Sequence, residues 1–144
     1  MKKLICVMAL VCIGMLLVSC GSNRLGDPKA QLMRDFGLHI DKKDCVLEEL
    51  FNNYEGVPYE GIALYKLTVG EDMRQAFLQW ERFPLPEAAE NFLESFSAYV
   101  ELPLIADGYW KMVDRNPGTS AYTNVSLCVY DRATGAAYLL AMDI

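Results

Sequence analysis

Asn124-Val125-Ser126-Leu127-Cys128-Val129-Tyr130-Asp131-Arg132-Ala133-Thr134-Gly135 is the stretch that decides the fold. Val125, Leu127 and Val129 alternate with Ser126 and Cys128, the period of a strand whose side chains point to opposite faces. Arg132 to Gly135 makes a tight connection, and Ala136 to Met142 is apolar enough to return as the antiparallel partner. A hairpin at this end implies an antiparallel sheet, and the upstream segments can be sorted by whether they extend or cover it.

Tyr109 to Arg115 reads as a strand closed by the turn residues Asn116-Pro117-Gly118. Ile62 to Val69 is a second clear strand, rich in β-branched and aromatic residues. Residues 44–54 fit either a helical stripe (Val46, Leu47, Leu50, Phe51, Tyr54) or a strand face (Cys45, Leu47, Phe51). Gly56, Pro58 and Gly61 break either element, and a hairpin with 62–69 favours the strand.

Helical signals occupy the rest. Asp27 at the N-cap, Pro28 behind it and Gly37 after the last turn bracket a helix with Leu32, Met33 and Phe36 on one face. Met73, Ala76, Phe77 and Trp80 recur at i, i+3, i+4, i+7 behind the acidic start Glu71-Asp72, and Pro84 and Pro86 stop that run. Ala89, Phe92, Leu93 and Phe96 share a side of a further helix from about Pro86 to Phe96, with Glu87, Glu90 and Glu94 opposite. The order α-β-β-α-α-β-β-β predicts an α+β domain: an antiparallel sheet of about five strands with helices packed on one face.

The N-terminus carries an address. Lys2 and Lys3 precede an uncharged apolar run, Leu4 to Val18, shorter than the roughly 20 residues that a spanning helix needs. Leu17-Val18-Ser19-Cys20 resembles the lipobox of bacterial lipoprotein precursors. That resemblance implies a signal peptide over 1–19, cleavage before Cys20 and diacylation of its thiol with palmitate-type chains. A lipidated tether over 20–26 and a single domain over 27–144 would then sit on the extracytoplasmic side of the cell membrane. Removing Lys2 and Lys3 leaves 11 basic residues against 19 acidic ones, a balance of −8. Such a surface opposes nucleic acid and anionic headgroups, so the lipid must supply the membrane attachment. The partner expected is an envelope protein or glycan.

Past the leader and Cys20, two cysteines remain, Cys45 and Cys128. They read either as a disulfide, which an oxidising compartment permits, or as two small buried hydrophobes in adjacent strands. No Cys-x-x-Cys occurs, which argues against a thiol-redox or structural zinc centre.

A second resemblance lies in the order of four motifs. Asp35-Phe36-Gly37 leads into a hairpin, followed by Trp80-Glu81-Arg82-Phe83-Pro84-Leu85-Pro86 and Gly108-Tyr109-Trp110-Lys111-Met112-Val113-Asp114-Arg115. Asn124 to Asp131 follows, with Thr134 and Tyr138 closing the last hairpin. Over Phe36 to Asp143 this resembles a group of small bacterial exported proteins, and it implies the hairpin over 44–69 but no activity. Where such proteins carry His and extra Gly in the first hairpin turn, this chain has Asn53 to Gly61, which argues against a ligand role there.

Candidate chemistry is sparse. His39 is the single histidine and has no fixed Ser or Cys partner; a small hydrolase or metal-dependent enzyme would need it to converge with acids of the 41–60 segment, such as Asp41 and Asp44. Glu48 and Glu49 point to opposite faces of a strand. Asp114-Arg115 and Asp131-Arg132 end neighbouring strands and are placed to exchange ion pairs. No phosphate loop, nucleophile elbow or zinc-protease motif occurs, and neither a cofactor nor a metal is expected. Tyr54, Tyr59, Tyr109, Trp110 and Tyr122 cluster near turns and strand ends, the residue types of a binding patch or of a capped core. The expected function is a lipid-anchored, non-catalytic interaction module.

Overall fold

The computed structural model describes residues 27–40, 45–55, 60–118 and 123–144. The elements are α1 (Pro28–Phe36), β1 (Cys45–Asn52), β2 (Gly61–Val69), α2 (Glu71–Phe77), β3 (Glu81–Arg82), α3 (Glu87–Ser95), a 3-10 turn (Phe96–Ala98), β4 (Gly108–Asp114), β5 (Asn124–Asp131) and β6 (Ala136–Asp143). They form an α+β domain around one six-stranded sheet in the order β1-β2-β6-β5-β4-β3, with every pairing antiparallel.

Local chemistry explains the boundaries. Asp27 accepts a bond from the Lys29 amide at 3.0 Å, and Gly37 ends α1 in the left-handed region at φ 70°. Asp131 organises the β5–β6 turn, accepting from the Ala133 amide at 2.9 Å and the Thr134 hydroxyl at 2.7 Å. At edge strand β1, a register shift between Glu49 and Phe51 and the exposed Glu48 and Glu49 discourage pairing with another chain.

The helices cover both faces of the sheet, which corrects the expected single layer. Leu32 and Phe36 of α1 and Met73 and Phe77 of α2 pack on Ala63, Tyr65, Leu67, Cys128, Tyr130 and Leu139. Ala89 and Phe92 of α3, with Phe96, pack on Leu64, Val125, Leu127, Val129, Tyr138 and Leu140, the alternate residues of the same strands. The physical reason is the connection after β2. α2 crosses the first face towards β3 at the far edge, and α3 then returns over the second face before β4 is laid down. β6 is consequently buried at consecutive positions from Ala136 to Ala141. The two-residue edge strand β3, paired to Trp110 and Tyr109, is the element that the sequence reading lacked.

Cys45 and Cys128 are free, buried thiols. β2 and β6 lie between β1 and β5, so strand spacing alone sets the backbones about 14 Å apart, beyond the roughly 7 Å limit for a bridge. Of the two expectations, the disulfide is not formed; the thiols are buried hydrophobes, although not in adjacent strands. Burial raises both thiols above their ordinary pKa.

Candidate functional site

Where α1 crosses the ends of β4, β5 and β6, a polar cluster sits inside the first hydrophobic face. Gln31 and Asp35 are one helical turn apart on the side of α1 that also buries Leu32 and Phe36. Arg115, just past β4, donates to Asp35 Oδ2 and to Ser126 Oγ, both at 2.7 Å, and its other terminal nitrogen bonds Asp143. Ser126 Oγ donates to Asp35 at 2.7 Å and accepts from Gln31 Nε2 at 2.9 Å. The Tyr54 hydroxyl donates to Asp143 at 2.8 Å.

The proton count closes around Ser126, whose single proton goes to Asp35 while its lone pairs meet Arg115 and Gln31. Burial opposes the charge on Asp35, but bonds from Arg34 and Ser126 and the Arg115 charge outweigh it and hold the carboxyl below its ordinary value. Burial, and then the bond to Asp143, push Tyr54 well above the usual tyrosine range. Chemically this is a clamp. The carboxylate that accepts the Ser126 proton is held ionised and paired with Arg34 and Arg115, which makes it a weak base, and Asp143 is likewise paired with Arg115. The sequence reading missed this cluster, and its signal lay in the i, i+4 pair Gln31 and Asp35 on an apolar helix face.

The two acid–base dipeptides are therefore wired differently from expectation. Arg115 reaches Asp35 and Asp143, and Arg132 pairs with Asp107 at 2.8 Å. Asp114 instead accepts from the Asn116 amide at 2.8 Å, closing the turn after β4.

The aromatic candidates among the described residues, Tyr54, Tyr109 and Trp110, are divided between the two faces of the sheet. Tyr54 belongs to the clamp, Tyr109 packs against the first face and Trp110 against the second, because neighbours on β4 point oppositely. Trp110 Nε1 is buried without a hydrogen-bond partner among the described residues. Tyr59 and Tyr122 lie outside the described residues, as do Cys20, Asp41 and Asp44. His39 is exposed beyond α1, and among the described residues no group of His, Cys, Asp and Glu could hold a metal. No described helix is long and apolar enough to cross a membrane.

A surface groove lies on the second face. Between α3 and the non-regular segment 101–106 runs an open groove of about 1090 Å³. Phe83 and Leu85, from the connection after β3, line it with Leu93, Leu102 and Ile105, and all five pack on the core beneath. Leu104 stands 95% exposed beside it. The charged groups of its lining are Glu90 and Glu94 of α3 and Glu101 opposite. Its composition is an apolar floor with a few polar groups.

No family model, curated protein or solved structure matches the chain.

Proposed function

We propose that the chain is a lipid-anchored, non-catalytic interaction module of the cell envelope, exposed on the extracytoplasmic side and binding through the groove along α3. The observation that carries this reading is the groove itself: half-buried apolar side chains and the exposed Leu104 form a continuous surface open to solvent. Leu17-Val18-Ser19-Cys20 supports the anchor. The domain is entered at Asp27, the cap of α1, which packs on the sheet face opposite the groove. Asp27, the first described residue, therefore begins the helix that lies on the side of the sheet away from the proposed binding surface.

Two measurements test the reading. Mass spectrometry of the membrane-extracted protein should find an acylated Cys20 as the first residue; an intact, unmodified leader on a water-soluble chain refutes the anchor. A photo-crosslinking amino acid at position 104 should capture an envelope protein or glycan in living cells, whereas the same residue at exposed Val46, on β1, should not. Equal labelling from both positions refutes the groove as the contact surface.

A further inference from the structure

We propose that the occupant of this groove is a cationic amphipathic helix of a partner protein, with Lys or Arg flanking an apolar stripe; the proposal rests on the interaction-module reading. α3 has nine residues and therefore runs about 13 Å, so its flank accommodates between two and three turns of a second helix. The floor supplies the apolar half of the match, with Leu104 as its most accessible side chain.

Charge selects the partner. Every ionisable side chain lining the groove is a glutamate, and Glu90, Glu94 and Glu101 make no ion pair among the described residues. Their placement is also unfavourable to the fold itself. Glu90 and Glu94 are like charges one turn apart, which destabilises a helix. Glu94 lies in the last turn of α3, where the exposed carbonyl ends favour a cation, and that turn contains no basic residue. A local conflict of this kind beside an apolar groove is relieved when Lys or Arg arrives from outside. The same charges disfavour the other occupants: two copies of the chain would bring glutamate rims together, and an anionic bilayer would be repelled.

The test uses the full acylated chain in phosphatidylcholine nanodiscs, with empty nanodiscs as reference. The probe is a fluorescent 14-residue peptide carrying Leu at i, i+3, i+4, i+7 and Lys elsewhere, and its control replaces every Lys by Glu. The Lys peptide should bind saturably and weaken as salt rises, while the Glu peptide should not bind. Glu94→Lys combined with Glu101→Lys should weaken binding by about tenfold or more. Glu94→Gln should weaken binding yet raise Tm by about 1–2 °C, since it removes the repulsion within α3.

Equal binding of both peptides, or unchanged binding by the double charge reversal, overturns the proposal. A concentration-dependent dimer abolished by Leu104→Asp also overturns it, in favour of a second copy. Cross-linking of an acidic or uncharged partner at position 104 overturns the cationic assignment and leaves the module reading standing. Lys-peptide binding with no envelope partner captured in cells supports the charge preference and removes the module reading.

Discussion

Replacing Asp35 by Asn keeps the outline of a side chain only 2% accessible and removes its charge. The bond from Arg34, whose own side chain is 44% exposed, contributes about 0–1 kcal/mol. The Arg115 bond is more sheltered and joins two charges, a class worth about 1.5–3 kcal/mol. Ser126 can still donate to the amide oxygen of Asn. Arg115 keeps Asp143, so the roughly 3–5 kcal/mol penalty of a stranded buried charge does not apply in full. The expected loss at pH 7 is therefore about 2–3 kcal/mol.

The pH dependence fixes the mechanism. The folded-state carboxyl is held below its ordinary value, so the stability it contributes is complete above about pH 4 and disappears as pH falls through the folded pKa. Urea unfolding at constant salt, followed by tryptophan fluorescence, reads both ends of this range. Trp80 is a local reporter because its ring lies 5.5 Å from Phe36, the residue after Asp35. The difference between wild type and Asp35→Asn should shrink as the pH is lowered into the acid range. A loss below about 0.5 kcal/mol at pH 7, or an equal loss at acid pH, refutes the clamp as an electrostatic device.

Three further outcomes follow from packing. Phe92→Ala should cost about 3–5 kcal/mol in chemical denaturation, because the ring is fully buried under α3; a loss under about 1.5 kcal/mol contradicts a second core. At Gly108 an added Cβ would lie 1.9 Å from the Tyr130 carbonyl oxygen, so Gly108→Ala should cost about 3 kcal/mol or more, and near-wild-type unfolding would contradict the β4–β5 register. Iodoacetamide in denaturant without reductant should modify both Cys45 and Cys128, and neither should react quickly in the folded protein; resistance in denaturant would reveal a disulfide.

The strands and caps were legible because their chemistry is local. Asp27, Gly37 and the Asp131–Gly135 turn act within a few residues of themselves, and alternation in β5 fixed which residues share a face. The layering of helices is set by a long-range path, and it was misread. One local clue existed: Ala136 to Met142 is unbroken apolar sequence, the pattern of a strand buried on both sides rather than one. The clamp was harder to foresee. Asp35, Arg115 and Asp143 are separated by 80 and 28 residues along the chain, and nothing near Arg115 distinguishes it from Arg132, which pairs at the surface.

That contrast between two strand-end arginines bears on where function can reside. On the first face, α1 and α2 bury the sheet while Arg34, Arg115 and Ser126 consume the hydrogen-bonding capacity of Asp35, leaving Gln31 Oε1 as a buried acceptor of that cluster without a partner among the described residues. On the second face, the nine residues of α3 and the 3-10 turn cover the central strands, but the chain then runs through segment 101–106 without regular structure. The sheet edge at β3 is only two residues long and cannot close the gap. The groove is therefore a consequence of topology: a short helix over a wide sheet, bordered by a loop whose leucine at position 104 has no core to enter. Given such an opening, the proposed charge preference rests on the glutamates along one helix flank, which make no ion pair among the described residues.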